Sequence, residues 1–488
     1  MSCARQGREN LYISSLLTKK DPAVKEKIAE TKDVVAWAYT KGLTVVADDR
    51  LRLAPITLRP HPYPRAAFEQ AWALAEPFGK LIDGMKRDWL LKSLEAVAKT
   101  DGFVGKLSSI SKRVYESGYS RGLRMHILRS DFLLHKEEDG KITPKLVEVN
   151  TIAASFGGLI EGLNYVHQFW QTQYAHSDER VILPNAPITG IARSLLQADK
   201  AYQKKYGVTD TVVIMVVHST TEHERNEIDQ RKLQAAFFEM GGRIERWGLD
   251  DLRTRFSADL VGERERLMFP IVGSTSRRRE VSCVYWRTGY SPGSYTDVDW
   301  EMREKIERSC TIQIPSCLSQ LAGAKKIQQL FSSDSDIVAS DNGDSQGGKK
   351  VKGGLLKRFG LNNDEITKLQ KCFVQNVDPS ATDPESRSHV MDAKANPLNW
   401  VLKPNREGGG NNLYDDDIVK KLNEGNDLHE YVLMKKICPP SQAVTILDGS
   451  VFPPQPKVFE GVSELGIYHT FLADEDQVLS NEALGYLV

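Results

Sequence analysis

The stretch VLKPNREGGGNNLY, Val401 to Tyr414, sets a lysine and an arginine–glutamate pair before three consecutive glycines and two asparagines. Those residue types suit a phosphate. Glycines leave backbone N–H groups unobstructed, Lys403 supplies a neutralising cation, and Glu407 offers an oxygen that can hold a hard cation against the same phosphates. The spacing is not the G-x-x-x-x-G-K-[ST] of a Walker loop. On its own the fragment is equally compatible with a flexible hairpin bearing incidental charges.

Three other stretches could carry chemistry. In KLVEVNTIAASFGGL, Glu148 and Asn150 are two residues apart on an expected strand, so they share a face and present oxygens suited to Mg²⁺. An exposed strand face is the blander reading. The small residues Ala153, Ala154, Ser155, Gly157 and Gly158 that follow form a turn on which a ligand could rest. In HSTTEHERNEIDQRKL, Glu224, Asn226 and Gln230 follow the carboxyl end of a strand, where open α/β units bind ligands, and suit an amino group and a carboxylate. His218 and His223 lack a third metal ligand nearby and read as surface histidines. In YWRTGYSP, Arg287 leaves a strand before Gly289 and Tyr290, and an arginine fork suits a carboxylate. No Ser-His-Asp or Cys-His arrangement stands out, which argues against a covalent nucleophile.

The elements that must position these residues follow from periodicity. The first hundred residues read as mainly helical. DPAVKEKIAETKDVVAWAYTKGL has Asp21 as N-cap, Pro22 at the first position and Gly42 at the end; RAAFEQAWALAEPFGKLIDGM and RDWLLKSLEAVAKT repeat the helical pattern. RMHILRSDFLLH and KLVEVNT form an expected hairpin. DTVVIMVVH reads as a buried parallel strand, RKLQAAFFEMGGRIERWG as a helix and turn, and EVSCVYWRTGYSP as another strand. This alternation predicts a small α/β unit over 206–316. PSCLSQLAGAKKIQQLF reads as one helix, Ser332–Gly354 as a mobile polar loop, and NWVLKP, YVLMKKI, AVTIL and SELGIYHTFLA as strands.

The totals set the outer limits. The 488 residues allow several domains' worth of core, and 40% hydrophobic with 27% charged residues is an ordinary globular balance. The 65 basic residues equal the 65 acidic ones, which argues against nucleic acid as the main partner. Six irregularly spaced cysteines read as free thiols in a reducing compartment. No signal-peptide pattern or membrane-length apolar run is present, so no membrane partner is expected and the cytoplasm is the default location.

Together RSD, EVNTIAASFGGL, ERNEIDQR, RTGY, QLAGAKKIQQ, KPNREGGGNNLY, LMKKI and SELGI occur in an order that resembles the eukaryotic glutathione synthetases of the ATP-grasp superfamily. The resemblance runs from about residue 10 to the last residue. It implies an α/β ATP-grasp fold with a helical N-terminal region: 1–205 and 317–488 carry the ATP-grasp parts, and 206–316 is an inserted substrate-binding domain. The implied reaction joins γ-glutamylcysteine to glycine with ATP, through an acyl phosphate and two Mg²⁺ ions. Glu148, Asn150 and Glu407 would hold magnesium. Lys325, Lys403, Pro404, Asn405, Arg406, Glu407, Gly408, Gly409, Gly410, Asn411 and Asn412 would cradle the phosphates. Tyr414, Met434, Lys435, Lys436, Ile437 and Glu464 would line the adenine and ribose pocket. Arg129, Ile152, Ala153, Ala154, Ser155, Glu224, Arg225, Asn226, Gln230, Arg287, Thr288, Gly289 and Tyr290 would touch the peptide substrate. Arg129, Lys325 and Lys403 would be the catalytic cations, and a homodimer is implied.

Three departures accompany the resemblance. Ala153 stands where the family often has serine, removing one hydroxyl contact, and Lys435 stands where it often has glutamate. The family's final strand continues into an Arg-Thr-Lys stretch and a Gly/Ala-rich closing loop, whereas this sequence ends at NEALGYLV. The expectation from that departure is weak substrate retention and uncoupled ATP hydrolysis. Two alternatives stay open: a catalytically impaired nucleotide-binding form, and a relative that joins another amine such as β-alanine.

Overall fold

The computed structural model describes residues 22–117, 122–175, 182–255, 265–271, 278–332, 354–405 and 411–488. The chain divides into two compact units. One comprises Met1–Pro62, Gly162–Pro184 and Ala443–Glu460; the other comprises Tyr63–Glu161, Asn185–Gln442 and Gly461–Val488.

The first unit opens with the helix Pro22–Thr40, which ends before Gly42 in the left-handed region at φ +60°. The next segment departs from the mainly helical expectation. Thr44–Ala47 and Arg50–Leu53 pair as an antiparallel hairpin, and Ile56–Thr57 pairs with the strand Gln442–Asp448. The hairpin turns on Asp48 and Asp49, both at positive φ (48° and 54°), a conformation aspartate tolerates better than most side chains. Strands of two to four residues are too short for periodicity to register. Glu30 anchors this unit: Arg59 donates to its two oxygens at 2.6 and 2.8 Å, and the Trp170 indole donates at 2.7 Å.

In the second unit, strands are numbered in chain order: β1 (Leu123–Lys136), β2 (Ile142–Asn150), β3 (Thr211–Val217), β4 (Ile244–Gly248), β5 (Met268–Pro270), β6 (Arg278–Trp286), β7 (Ile312–Ile314), β8 (Asn376–Val377), β9 (Trp400–Pro404), β10 (Tyr431–Lys435), β11 (Glu464–Asp474) and β12 (Gln477–Leu487). Three helices bear on the site: α1 (Glu227–Glu239), α2 (Cys317–Ala322) and α3 (Lys325–Ser332).

An antiparallel sheet in the order β12-β11-β1-β2 carries the site. One face is core: Leu128, Phe132, Leu146, Leu465 and Ile467 pack against Phe78, Leu81, Leu107, Leu321 and Ile327. Because side chains alternate along a strand, Arg129, Asp131, Gly466 and Tyr468 fall on the opposite face. Register aligns Arg129 with Asn150 and Tyr468, and Asp131 with Glu148 and Gly466. A bulge follows: Asp131 pairs with Glu148, whereas Phe132 pairs with Leu146, leaving Val147 as the extra residue.

The second sheet runs β7-β6-β3-β4 in parallel, with β5 antiparallel on β6. All seven residues of β3 are buried, as a continuous β-branched run predicts. The segment RIERWG, expected as a turn, supplies β4; Gly241 at φ +81° ends the preceding helix and releases the chain into the sheet. A third sheet, β8-β10-β9, is antiparallel and packs Trp400, Leu402 and Leu433 into its own core.

Three expected helices are each divided. Arg65–Trp72 and Ala75–Gly84 are separate; Pro77 has no N–H to bond back to residue 73, so the two cannot run on as one. Arg87–Ser93 and Glu95–Thr100 break at Leu94. The third break, between α2 and α3, falls at Gly323–Ala324. Of the loop expected at Ser332–Gly354, residues 333–353 lie outside the described residues. Five cysteines, Cys283, Cys310, Cys317, Cys372 and Cys438, are free thiols. Among the described residues no helix is long and apolar enough to cross a membrane.

Candidate active site

The open face of the first sheet concentrates charge. Glu148 projects from β2 to the Lys325 ammonium, with Oε2 3.2 Å from Nζ. Burial alone would raise the Glu148 carboxyl, but Lys325 and then Lys403 outweigh it and hold it below the usual range. Lys403, at the end of β9, is 7% exposed and its Nζ lies 3.5 Å from the bulged Val147 carbonyl oxygen. Burial, then the neighbouring charge of Lys325, lowers the Lys403 ammonium to about 8. Two buried cations side by side favour an anion between them.

The break between α2 and α3 makes this arrangement possible. Lys325 is the first residue of α3, immediately after the Gly323–Ala324 corner. A Cβ on Gly323 would fall 2.6 Å from Thr151 Oγ1 and 3.2 Å from the Val149 carbonyl oxygen, so only glycine lets the corner lie against β2 and its following loop.

Beside the lysines, Asp131 accepts two bonds from Arg129 (Nε and Nη2, both 2.7 Å) and one from Asn150 Nδ2 at 2.7 Å. Glu464, at the start of β11, keeps contact with solvent. The protein around it, Asp131 and Glu148 nevertheless push its carboxyl up to about 6.

The donor set suits magnesium. Glu148 is a carboxylate, and Asn150 donates its amide nitrogen to Asp131, which leaves its side-chain oxygen for a cation. Among the described residues no group of three or more His, Cys, Asp or Glu side chains is placed to hold a metal by itself. A magnesium ion here would complete its shell with phosphate oxygens and water, its ordinary habit at nucleotide sites. The third expected ligand, Glu407, lies outside the described residues, as do Arg406, Gly408, Gly409 and Gly410.

A second set of residues adjoins the first through Arg129 and Tyr468. Arg129 Nη1 donates to the Ser155 carbonyl at 3.2 Å and the Tyr468 hydroxyl donates to the same oxygen at 2.5 Å. Ala153 and Phe156 in this loop have φ of 52° and 72°, strained for residues with side chains, a feature that clusters at ligand sites. Arg287 is buried and donates from Nη2 to Ser155 Oγ (3.1 Å) and Asp229 Oδ2 (2.9 Å). Asp229 also accepts from the Phe156 and Gly158 amides, at 3.0 and 2.7 Å. Gln230 clasps Glu224 and accepts two bonds from Arg246. Gly289 is held by Gln320, whose amide donates to its carbonyl oxygen at 2.9 Å, and its φ of +86° requires glycine. Ile152, Ala154 and Thr288 are buried in the same neighbourhood, while Arg225 and Tyr290 are exposed.

Several buried polar atoms at the expected positions have no hydrogen-bond partner among the described residues: Asn226 Oδ1, Arg287 Nε, Asn405 Nδ2 and Asn412 Oδ1. Each such group asks for a reason, and a bound ligand would be one. Asn405 is fixed in part, accepting at Oδ1 from the Lys326 amide at 2.8 Å, and Pro404 ends β9 beside it.

The expected base pocket is only partly assembled by side chains. Met434 and Ile437 are buried. The Lys435 side chain turns to Trp400 and Asp392, with Nζ 4.7 Å from the indole centroid. The Lys435 and Lys436 amides already donate to the Gln375 and Asn399 carbonyls, both at 2.8 Å. A base would therefore be read there by other backbone groups. Asn411 and Asn412 precede the half-exposed Tyr414, whose hydroxyl receives Asn412 Nδ2 at 3.4 Å.

His218 and His223 are exposed; His223 pairs with Glu227. Residues that sequence reasoning did not single out are Asp131, Asp229, Gln320 and Tyr468. Asp131 and Asp229 lie inside RSD and ERNEIDQR, so the segments were visible although the carboxylates were not.

Comparison with known proteins identifies the family. The family model described as "Eukaryotic glutathione synthase, ATP binding domain" matches residues 25–488. Glutathione synthetase of Xenopus laevis is 33% identical over 452 residues, covering 91% of this chain and 86% of that protein. The Homo sapiens glutathione synthetase is 30% identical, with 89% and 85% covered, and the chloroplastic glutathione synthetase of Solanum lycopersicum is 31% identical, with 96% and 81% covered. A glutathione synthetase-like effector from Globodera pallida, solved in apo form, superposes with a TM-score of 0.70 at 20% identity, covering 95% of this chain and 93% of that one. On these grounds the chain belongs to the eukaryotic glutathione synthase family.

Proposed function

We propose that the protein is an ATP-dependent ligase that joins γ-glutamylcysteine to glycine, forming glutathione through an acyl phosphate. The carrying observation is that Arg129 shares one carboxylate with Asn150 on the nucleotide side and reaches the Ser155 carbonyl on the peptide side. Two reactants held on one rigid sheet face react as if at high effective concentration.

In this reading Lys325 and Lys403 neutralise the transferring phosphoryl group, and the dipeptide carboxylate faces Arg129. Arg287, the Ser155 loop, Glu224, Asn226 and Gln230 orient the dipeptide. Magnesium, held by Glu148 and the Asn150 oxygen with Glu407, supplies charge neutralisation on the phosphates when bound. No protein nucleophile is required; the chain contributes positioning and electrostatics. Residues 206–316 act as the substrate-binding insertion between ATP-grasp parts at 1–205 and 317–488. Glycine as the amine, a cytoplasmic location and a homodimer complete the reading.

The test is phosphate release from ATP with γ-glutamylcysteine, with and without glycine, alongside detection of the tripeptide by mass. The expected result is phosphate release stimulated by glycine, with glutathione as the peptide product. Phosphate release with no peptide product, or a preference for β-alanine over glycine, contradicts it.

A further inference from the structure

The Asp131 side chain is 2% exposed and makes three bonds that bridge the two halves of the site. Its two oxygens receive the Arg129 fork, which fixes the plane of that guanidinium and sends Nη1 to the Ser155 carbonyl. Its Oδ2 also receives Asn150 Nδ2. A carboxamide has its donor and acceptor at opposite ends, so anchoring Nδ2 on an anion turns the oxygen outward. A neutral partner would hold that orientation far less firmly.

The neighbouring strand is shaped around this contact. Gly466 sits opposite Asp131 in β11, and a Cβ there would fall 2.8 Å from Asp131 Oδ1 and 3.0 Å from Arg129 Cδ. The strand therefore passes bare over the clasp. Asp131 lies behind Arg129 and Asn150, enclosed by their donors.

We infer that Asp131 is a positioning residue that couples the two subsites: one buried carboxylate sets both the amide orientation of Asn150 toward magnesium and the reach of Arg129 toward the dipeptide. It touches neither ligand, yet its loss weakens both. This inference rests on the ligase reading given above.

The test uses the full chain and binding measurements. Magnesium with a non-hydrolysable ATP analogue, and separately γ-glutamylcysteine, are titrated calorimetrically into wild type, Asp131→Asn, Asn150→Ala and the double variant. Asp131→Asn keeps the shape and places an amide donor against existing donors. It is expected to weaken both ligands by about tenfold or more, as loss of a partner behind a metal ligand typically does. Because Asp131 acts through Asn150, the double variant should bind magnesium–nucleotide no more weakly than Asn150→Ala alone. Wild-type affinity for both ligands in Asp131→Asn, or a loss fully additive with Asn150→Ala, overturns the inference. Should Asp131→Asn not fold, Gly466→Ala keeps all three polar groups while crowding the carboxylate; the same double loss is expected, and unchanged binding overturns the proposal. If wild type binds neither ligand, it is the ligase reading that fails.

Discussion

Glu148 and Asp229 are both carboxylates beside cations, yet their surroundings assign them different work. Glu148 faces Lys325 and Lys403, where the proposed reading sets the nucleotide, and its side chain is 24% exposed, so a ligand can reach it. Glu148→Gln should reduce magnesium-dependent nucleotide affinity by about 10- to 100-fold while leaving γ-glutamylcysteine affinity nearly unchanged. Calorimetry with each ligand separately checks this; equal losses for both would contradict the assignment. Asp229 is fully enclosed, and its partners are Arg287 and the loop amides. Asp229→Asn leaves a buried guanidinium uncompensated, so urea unfolding should show a loss of about 3–5 kcal/mol. In the folded variant the γ-glutamylcysteine KM should rise more than the ATP KM. Glu148 and Asn150 were legible in the sequence because two-residue spacing on a strand fixes a shared face. Asp131 was legible only in part: Arg129 shares its face two residues away on β1, but Asn150 reaches it across the strand pair, and Asp229 on α1 meets Arg287 and the 156–158 amides only in the fold, which local spacing does not encode.

At the scale of elements, the decisive features are a corner and a bulge. The Gly323–Ala324 corner sets Lys325 at the start of α3, and the Val147 bulge presents the carbonyl oxygen that lies near Lys403. Gly323→Val would force methyl groups toward Thr151 and the Val149 carbonyl. We expect about 1–3 kcal/mol lost in urea unfolding, from overpacking, together with weaker nucleotide binding through a displaced Lys325. Unchanged nucleotide affinity would show that the corner does not position the lysine. The buried run of β3 and the alternating residues of β1 and β2 declared themselves as strands in the sequence. The helix breaks did not: QLAGAKK keeps helical spacing across a glycine, and the need for that glycine lies 172 residues away in Thr151. The hairpin at Asp48–Asp49 was hidden by brevity.

For the whole molecule, buried neutral histidines make stability depend on pH. Burial lowers His167 from 6.5 to about 4, and burial with nearby His126 lowers His469 from 6.5 to about 3. Below about 6.5 the unfolded chain takes up protons that the folded chain refuses, so the stabilisation is complete above that value and is lost as pH falls toward the folded values. For His167 the loss by pH 4 is about 3 kcal/mol. Urea midpoints at pH 7.5 and pH 5 should differ, and His167→Gln, which can keep a bond to Thr57, should flatten the dependence; a midpoint insensitive to pH would refute this. The family was legible from eight ordered segments. The unit assembled from Met1–Pro62, Gly162–Pro184 and Ala443–Glu460 was not, since three distant stretches share no local signal.

In the proposed reaction Mg·ATP and the dipeptide meet over the open face of the β12-β11-β1-β2 sheet. A crystal structure with magnesium, a non-hydrolysable ATP analogue and γ-glutamylcysteine tests that claim directly. It should place the triphosphate between Lys325 and Lys403, the metal against Glu148 and Asn150, and the dipeptide carboxylate at Arg129. A triphosphate bound elsewhere, with Glu148 and Lys403 untouched, would contradict it.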